Sequence, residues 1–151
     1  MKPPKNTKHL LFGGTFMLAN KLQFVGEKMV DGLSLKQWFL LLNILDLPSE
    51  PPPTINQIAR AMDSTRQNIA KMLEIMEREG LVTLEQNKSD RRSRNVRVTA
   101  FGLTRMKQTT DNAQEFLYRL YDGITSEECD AAAMVMKKMV YNLQKMQEEL
   151  Q

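Results

Sequence analysis

The 151-residue chain has the length of one ordinary domain, and its 42% hydrophobic and 26% charged residues are typical of a folded protein. This composition excludes disorder along the whole length, and no apolar run reaches the roughly eighteen residues that a membrane span needs. The basic N-terminus lacks a signal-peptide core, and the single cysteine can form no internal disulfide. We therefore expect a single domain over residues 1–151 in a reduced, cytoplasmic protein. The net charge of +3 decides no function class by itself.

The first 45 residues predict two helices. Apolar residues at helical spacing predict a helix over about 8–30, which Gly32 ends. Ser34 is a good N-cap for a second helix over 35–45, which is nearly apolar all round and should be central and buried. The stripe of the first helix is made by Leu11, Leu18, Leu22, Val25 and Met29.

A rigid proline-rich loop and two short helices follow. The segment 47–54 cannot be helical because proline lacks the N–H and restricts the residue before it. Helices are predicted over 55–62 and 66–79, with a turn at Asp63 and Ser64 between them. The expected N-caps are Thr54 and Thr65, the buried stripe of the second helix is Ile69, Met72, Leu73 and Met76, and Gly80 ends it.

The next segment predicts a β-hairpin with a charged tip. Alternating β-branched residues indicate strands over 81–86 and 95–99, joined by a loop over 87–94. Positive charge is concentrated at this loop, while the C-terminal segment is acidic, and such asymmetry is typical of a nucleic-acid contact. The alternative is an ordinary solvated basic loop. Residues 88–97 contain five cations and one acid, Asp90. The cations are Lys88, Arg91, Arg92, Arg94 and Arg97.

Two long helices complete the chain. Thr99 is expected to cap a helix over 100–121, and Thr125 with Glu128 forms a capping box for a last helix that runs to about residue 150. In both helices apolar residues alternate at steps of three and four, which is the spacing of a coiled-coil-like seam. These seams predict pairing of the terminal helices, 8–31 and 100–150, within the chain and across a two-fold axis. The alternative is an intramolecular bundle. The seams are Leu103, Met106, Thr110, Ala113, Leu117, Leu120 and Ile124, then Ala132, Met136, Met139, Leu143, Met146 and Leu150.

Two helices joined by a short turn, with polar residues opening the second, form the helix-turn-helix pattern of DNA-binding proteins. Asn and Gln can bond adenine bidentately and Arg can bond guanine, whereas Thr65 and Lys71 are better placed for phosphate. The alternative is an ordinary exposed helix face. The candidate DNA-binding residues of this helix are Thr65, Arg66, Gln67, Asn68 and Lys71.

The hairpin adds a second candidate DNA contact. Arg91, Arg92 and Arg94 project from a loop that can enter a minor groove, where the negative potential favours arginine. Asp90 is expected to orient an arginine through a charge-assisted bond rather than to oppose DNA binding.

The segment 33–102 resembles the MarR (multiple antibiotic resistance regulator) family of winged-helix repressors. Its most specific part is D-x-R followed by a hydrophobic-basic-hydrophobic-Thr strand and a glycine. Departures from the family pattern are the three prolines before the first helix of the motif and Asp63, where glycine is common. The residues that carry the motif here are Asp90, Arg92, Val96, Arg97, Val98, Thr99 and Gly102.

The resemblance implies a homodimer that binds double-stranded DNA at pseudo-palindromic operators. It implies that the second helix lies in the major groove, that Arg92 enters the minor groove and that Asp90 positions it. It also implies a small aromatic or phenolic effector in a cleft, for which Phe12, Phe16 and Trp38 are candidates. The alternative for these three residues is that they are core.

No enzyme, metal or cofactor is expected. The single histidine has no nucleophile partner in a recognisable motif, and the chain has neither a phosphate-binding glycine loop nor metal-ligand spacing. Cys129 lies in the first turn of the last helix among acids, so an inert buried thiol is expected rather than a redox sensor. Two other function classes remain open: a winged helix that binds protein, and a DNA binder without sequence preference.

Overall fold

The computed structural model describes residues 6–150, so most of the basic N-terminus lies outside the described residues. Over this range the chain forms six helices and one β-hairpin. The predicted fold class, mainly α with a winged helix-turn-helix lobe and a small β-hairpin, is confirmed, and each predicted element is present to within two residues at its ends. The elements are α1 (Thr7–Met29), α2 (Leu35–Asp46), α3 (Ile55–Ala61), α4 (Arg66–Arg78), β1 (Val82–Gln86), β2 (Arg94–Val98), α5 (Ala100–Leu120) and α6 (Ser126–Glu149).

The chain divides into two compact units, Met1–Phe116 and Leu117–Gln151. The first unit contains α1 to α4, the hairpin and most of α5. The second contains the last turn of α5 and the whole of α6. None of the helices within residues 6–150 combines the length and the apolar character needed to cross a membrane.

Side-chain caps begin most of the helices, as the sequence predicts. Ser34, Thr54 and Thr125 each form a complete capping box with the residue three positions later. Thr65 accepts from the amide of Asn68 at 3.2 Å, and the hydroxyl of Thr99 accepts from the amide of Gly102 at 2.9 Å. Each cap satisfies an N–H that has no partner inside its helix and contributes about 1 kcal/mol. Local sequence thus fixes where each of these helices begins.

The core of the first unit is where α2, α3, α4 and the hairpin meet. The sequence prediction for α2 is wrong in one respect: Leu40, Leu41 and Ile44 are buried, but Phe39 and Leu45 are exposed. The helix packs on the core through Leu40, Leu41 and Ile44, and α3 and β2 contact it there. The largest fully buried side chains are Leu40, Leu41, Ile58, Ile69, Leu73, Met76, Val82, Val96 and Thr109.

The hairpin pairs its two strands in antiparallel register, from Val82 opposite Val98 to Gln86 opposite Arg94. The proline-rich loop lies along the other edge of β2. There the amide of Val96 donates to the carbonyl of Pro53 at 2.9 Å, and Thr54 forms an isolated bridge with Asn95. The loop therefore continues the small sheet beyond β2 and leaves fewer of its edge groups unpaired.

The connection from α1 to α2 is fastened to α5. The helix ends at Met29, one residue before the predicted end, and Gly32 adopts φ +123° in the following turn. Thr109 accepts there from the amide of Leu33 at 3.0 Å and donates to the carbonyl of Arg105 at 2.9 Å. A Cβ on Gly32 would collide with the Thr109 hydroxyl. Glycine is therefore required at position 32 both by the positive φ and by the close approach of the Thr109 hydroxyl.

Much of the apolar surface of α1 and α6 is exposed. In α1 the predicted stripe residues Leu11, Leu18 and Val25 are exposed, while Leu22 and Met29 are half-buried. No described residue of α6 is buried, although Met136, Leu143 and Met146 follow the predicted seam. Exposed apolar surface of this extent is typical of an interaction site.

Candidate nucleic-acid interface

The N-terminal half of α4 presents the predicted polar face. Ile69, Leu73 and Met76 are buried and anchor the helix, so Arg66, Gln67, Asn68 and Lys71 are exposed on the other side. Thr65 uses its hydroxyl oxygen to cap the helix, which leaves the hydroxyl hydrogen available to donate. The structure therefore places all five sequence-predicted residues of this helix on one accessible segment.

The tip of the hairpin is held in shape by the side chain of Asn87. Its Oδ1 accepts from the amides of Ser89 and Asp90 at 2.8 and 2.9 Å, and its Nδ2 donates to Oδ1 of Asn95 at 2.8 Å. The amide of Asn87 also donates to the carbonyl of Ser93. An asparagine that bonds backbone groups two and three residues ahead fixes a turn locally. The tip thus has a defined backbone before any ligand is bound.

Asp90 bonds the backbone of the wing, which is the β1–β2 hairpin of residues 82–98, rather than an arginine side chain. Its Oδ1 accepts from the amide of Arg92 at 2.9 Å, and its carbonyl accepts from the amide of Ser93 at 2.9 Å. The expected charge-assisted bond from Asp90 to an arginine is therefore corrected: Asp90 acts on Arg92 through the main chain. The side chains of Arg91 and Arg92 are exposed beside it.

Side chains of α4 reach both strands of the wing. Nη2 of Arg66 donates to the main-chain carbonyl of Arg92 at 3.3 Å, and Nη2 of Arg94 lies 3.1 Å from Oε1 of Glu74. Oε1 of Glu77 accepts from the amide of Leu84 at 3.0 Å. Side-chain contacts thus connect α4, the helix predicted to contact DNA bases, with the wing. Arg94, a predicted DNA contact, is engaged in an ion pair.

Arg97 forms ion pairs with two acids. Its Nη1 lies 2.8 Å from Oε1 of Glu50 in the proline-rich loop, and its Nε lies 3.7 Å from Oε2 of Glu85. The hydrogen bond from Arg97, and then its positive charge, hold the pKa of Glu50 below the ordinary 4.5. The same bond raises the pKa of Arg97. The cations that the wing exposes near its tip are therefore Lys88, Arg91 and Arg92.

Sequence reasoning missed the residues that hold the wing. Asn87 and Glu74 were not identified, because an asparagine in a loop and an acid on a helix face are common in any sequence. The spacing of Asn87 two and three residues before Ser89 and Asp90 is the signal that could have identified it. Nothing in the sequence pairs Glu74 with Arg94, twenty residues away.

The three candidate effector residues lie on two helices, Phe12 and Phe16 on α1 and Trp38 on α2. Phe12 and Phe16 are exposed on α1 and contact each other edge to face, with ring centroids 5.4 Å apart. The alternative that they are core is therefore wrong. Trp38 packs against the core, half-buried, and its Nε1 donates to Oγ1 of Thr110 at 3.0 Å.

Two surface pockets lie elsewhere on the first unit. One, of about 180 Å³, lies between α2, β2 and the start of α5, and the other, of about 310 Å³, lies against the proline-rich loop. Phe12, Phe16 and Trp38 line neither of them.

Cys129 is half-buried in the first turn of α6. The neighbouring Glu127 has a lowered pKa because its own backbone N–H and the Thr125 hydroxyl donate to its carboxylate. Within residues 6–150 no group of His, Cys, Asp and Glu is arranged to hold a metal ion.

Comparison with known proteins shows what this chain is similar to. A MarR family model matches residues 31–93. Over 102 residues the chain is 22% identical to the HTH-type transcriptional regulator PapX of Escherichia coli, which covers 68% of this chain and 62% of PapX. The chain spans less than two thirds of the length of the curated relatives that it matches.

Solved structures share the fold. The M. tuberculosis transcriptional regulator MOSR, crystallised with DNA, superposes with a TM-score of 0.77 at 17% identity, covering 88% of this chain and 95% of MOSR. AbsC, a MarR family transcriptional regulator from Streptomyces coelicolor, gives a TM-score of 0.78 at 19% identity, covering 96% of this chain and 99% of AbsC.

Proposed function

We propose that the chain is a member of the MarR family, whose model matches residues 31–93, and that it is a sequence-specific DNA-binding transcriptional regulator. We propose further that it represses, that it binds a pseudo-palindromic operator as a homodimer, and that a small aromatic or phenolic molecule releases it. The observation that carries the proposal is the direct connection of the exposed face of α4 to the wing, through Arg66 and the Arg92 carbonyl. A helix and a basic hairpin fixed to each other can contact two adjacent grooves at once.

The proposed roles follow from side-chain chemistry. Gln67 and Asn68 read adenine edges and Arg66 reads guanine, while Thr65 and Lys71 contact phosphate. Arg92 enters the minor groove, with Arg91 and Arg94 beside it and Asp90 holding the backbone of Arg92. A related protein, MOSR, has been crystallised with DNA, and this supports the proposal by analogy of fold.

The homodimer is supported by apolar surface. In α6 the seam positions Met136, Leu143 and Met146 are 51%, 60% and 57% exposed, and no described residue of that helix is buried. Burying such a surface against a second copy removes it from water, at about 25 cal/mol per Å². The whole chain, 1–151, then functions as one unit with α1, α5 and α6 as dimerisation helices.

The effector proposal depends on aromatic surface. Phe12 and Phe16 form an exposed aromatic pair, and Trp38 is half-buried with its Nε1 bonded to Thr110. A planar aromatic molecule can stack on such rings. We place the effector site at these residues, in the assembled dimer, and the protein in the cytoplasm without catalytic activity.

The test is selection of bound duplexes from a random DNA pool at physiological salt. An inverted repeat with half-sites about ten base pairs apart is the expected result. Retention without any consensus would instead indicate a DNA binder without sequence preference, and no retention would favour a protein-binding winged helix. Addition of small aromatic acids and phenols to the selected complex then tests release.

A further inference from the structure

An acidic residue lies on the helix face that the proposed function directs at DNA. Glu74 follows Gln67 and Lys71 at helical steps of four and three residues, so the three share one face of α4. A carboxylate on this face repels phosphate and therefore weakens DNA binding. The ion pair between Glu74 and the wing can explain why an acid occupies this position.

Glu74 forms an ion pair with the base of the wing. Nη2 of Arg94, the first residue of β2, lies 3.1 Å from Oε1 of Glu74, and the two side chains are 41% and 51% exposed, respectively. The other connection from α4 to this limb of the wing runs from Arg66 to the Arg92 carbonyl. Positions 66 and 74 are eight residues apart, or about 12 Å along the helix axis. Oε1 of Glu77 holds β1 through the Leu84 amide, so the Glu74–Arg94 pair and the Arg66–Arg92 bond are two attachments that hold the β2 side of the wing against α4.

We propose that Glu74 is a positioning residue for DNA recognition. The Glu74–Arg94 ion pair holds the wing at the angle that lets Arg92 enter the minor groove while α4 occupies the adjacent major groove. Arg94 then restrains the wing and contributes less to phosphate binding than Arg91 does. This inference rests on the proposed function, because it assigns the pair a role in the same DNA contact.

The direction in which Glu74→Gln changes operator affinity distinguishes a positioning role from simple charge repulsion. Glu74→Gln removes a negative charge from the DNA-facing surface, which by Coulomb attraction alone tightens binding to every duplex. Loss of a positioning contact instead weakens binding to the selected operator. We expect Glu74→Gln to weaken operator binding about three- to fivefold, which is the scale of an exposed ion pair. Binding to a scrambled duplex should stay constant or tighten. Tighter binding to the operator would overturn the proposal.

Exchanging the two charges provides the matched control. Glu74→Arg and Arg94→Glu each destroy the pair, whereas the double variant restores it with the same total charge. We expect operator affinity to recover in the double variant to within about twofold of the parent, since the pair is re-formed. No recovery beyond the sum of the two single effects would overturn the proposal. In an Arg92→Ala background the effect of Glu74→Gln should vanish, and its full persistence there would also contradict the proposal.

A measurement without DNA separates failure of this inference from failure of the proposed function. Amide hydrogen exchange of the wing reports how firmly it is held, and the amides of Arg92 and Ser93 are both hydrogen-bonded there. We expect these amides to exchange faster in Glu74→Gln, while amides in the core of α2 are unchanged. Unchanged exchange in the wing overturns the positioning role. If instead the parent protein selects no DNA consensus, the proposed function fails and the exchange result still decides whether Glu74 holds the wing.

Discussion

Arg66 and Arg92 join the two halves of the candidate DNA interface: Nη2 of Arg66, in the first turn of α4, donates to the main-chain carbonyl of Arg92 at 3.3 Å. On the wing side, Asp90 accepts from the Arg92 amide at 2.9 Å. The peptide groups on both sides of the Arg92 Cα are therefore engaged, while no acid within residues 6–150 forms an ion pair with its guanidinium. This arrangement holds the backbone of one arginine and leaves its side chain to a ligand.

Replacing Arg92 with alanine should weaken operator binding about tenfold, because the side chain proposed to enter the minor groove is lost while the wing backbone is kept. Titration of a labelled operator at physiological salt measures the change. Lys88→Ala, at another exposed cation of the same loop, is the control and should cost less. Equal effects of the two substitutions would mean that the wing contributes only general positive charge.

Replacing Gln67 or Asn68 with alanine should relax base preference more than it lowers binding to a scrambled duplex. A bidentate bond to the correct base is worth about 1–3 kcal/mol of discrimination. The check is to repeat the duplex selection with each variant and compare the consensus. A consensus that keeps full information at every position would remove that residue from base reading.

Arg91→Ala should lower the slope of log affinity against log salt by about one, since each phosphate contact releases counterions. Arg94→Gln should lower it by less, because that guanidinium is paired with Glu74. Affinity measured at several salt concentrations gives both slopes. A larger change for Arg94 than for Arg91 would assign the phosphate contact to Arg94.

Thr109→Val should destabilise the fold by about 1–3 kcal/mol, because it leaves the buried amide of Leu33 without its hydrogen-bond acceptor. Thr104→Val is the matched control on the same helix, since its exposed hydroxyl only donates to the Ala100 carbonyl. Urea unfolding of both variants measures the difference. Equal losses of stability would mean that the Thr109–Leu33 bond contributes nothing beyond the helix.

Acid should weaken the attachment of the proline-rich loop to β2. The pKa of Glu50 is lower in the folded chain than the ordinary 4.5 because Arg97 bonds its ionised form. A lowered folded pKa gives stability that is present above the unfolded pKa and is lost as pH falls through the folded value. The loss should therefore occur below about pH 4.5, and Glu50→Gln should abolish it. Unfolding midpoints between pH 3 and 6 provide the check, and an identical pH dependence in the variant would contradict the assignment.

The sequence predicts helix boundaries well because the determinants are local. Ser34, Thr54, Thr65, Thr99 and Thr125 all cap the helices that they were expected to cap. The exposure of Phe39, Phe12 and Phe16 could not be predicted, because apolar character alone does not say which face a neighbouring element covers. The same holds for the pairing of Arg94 with Glu74 rather than with a ligand, which depends on the angle between the wing and α4.

The most direct test of DNA recognition by the connected helix and wing is hydroxyl-radical footprinting of the selected duplex, with the parent protein and with Arg92→Ala. The expected result for the parent is two symmetric protected windows about one helical turn apart, each with protection of an adjacent minor groove. The minor-groove protection alone should disappear in Arg92→Ala. A footprint that Arg92→Ala leaves unchanged, or a single asymmetric window with the parent, would contradict a dimer that reads DNA with α4 and the wing together.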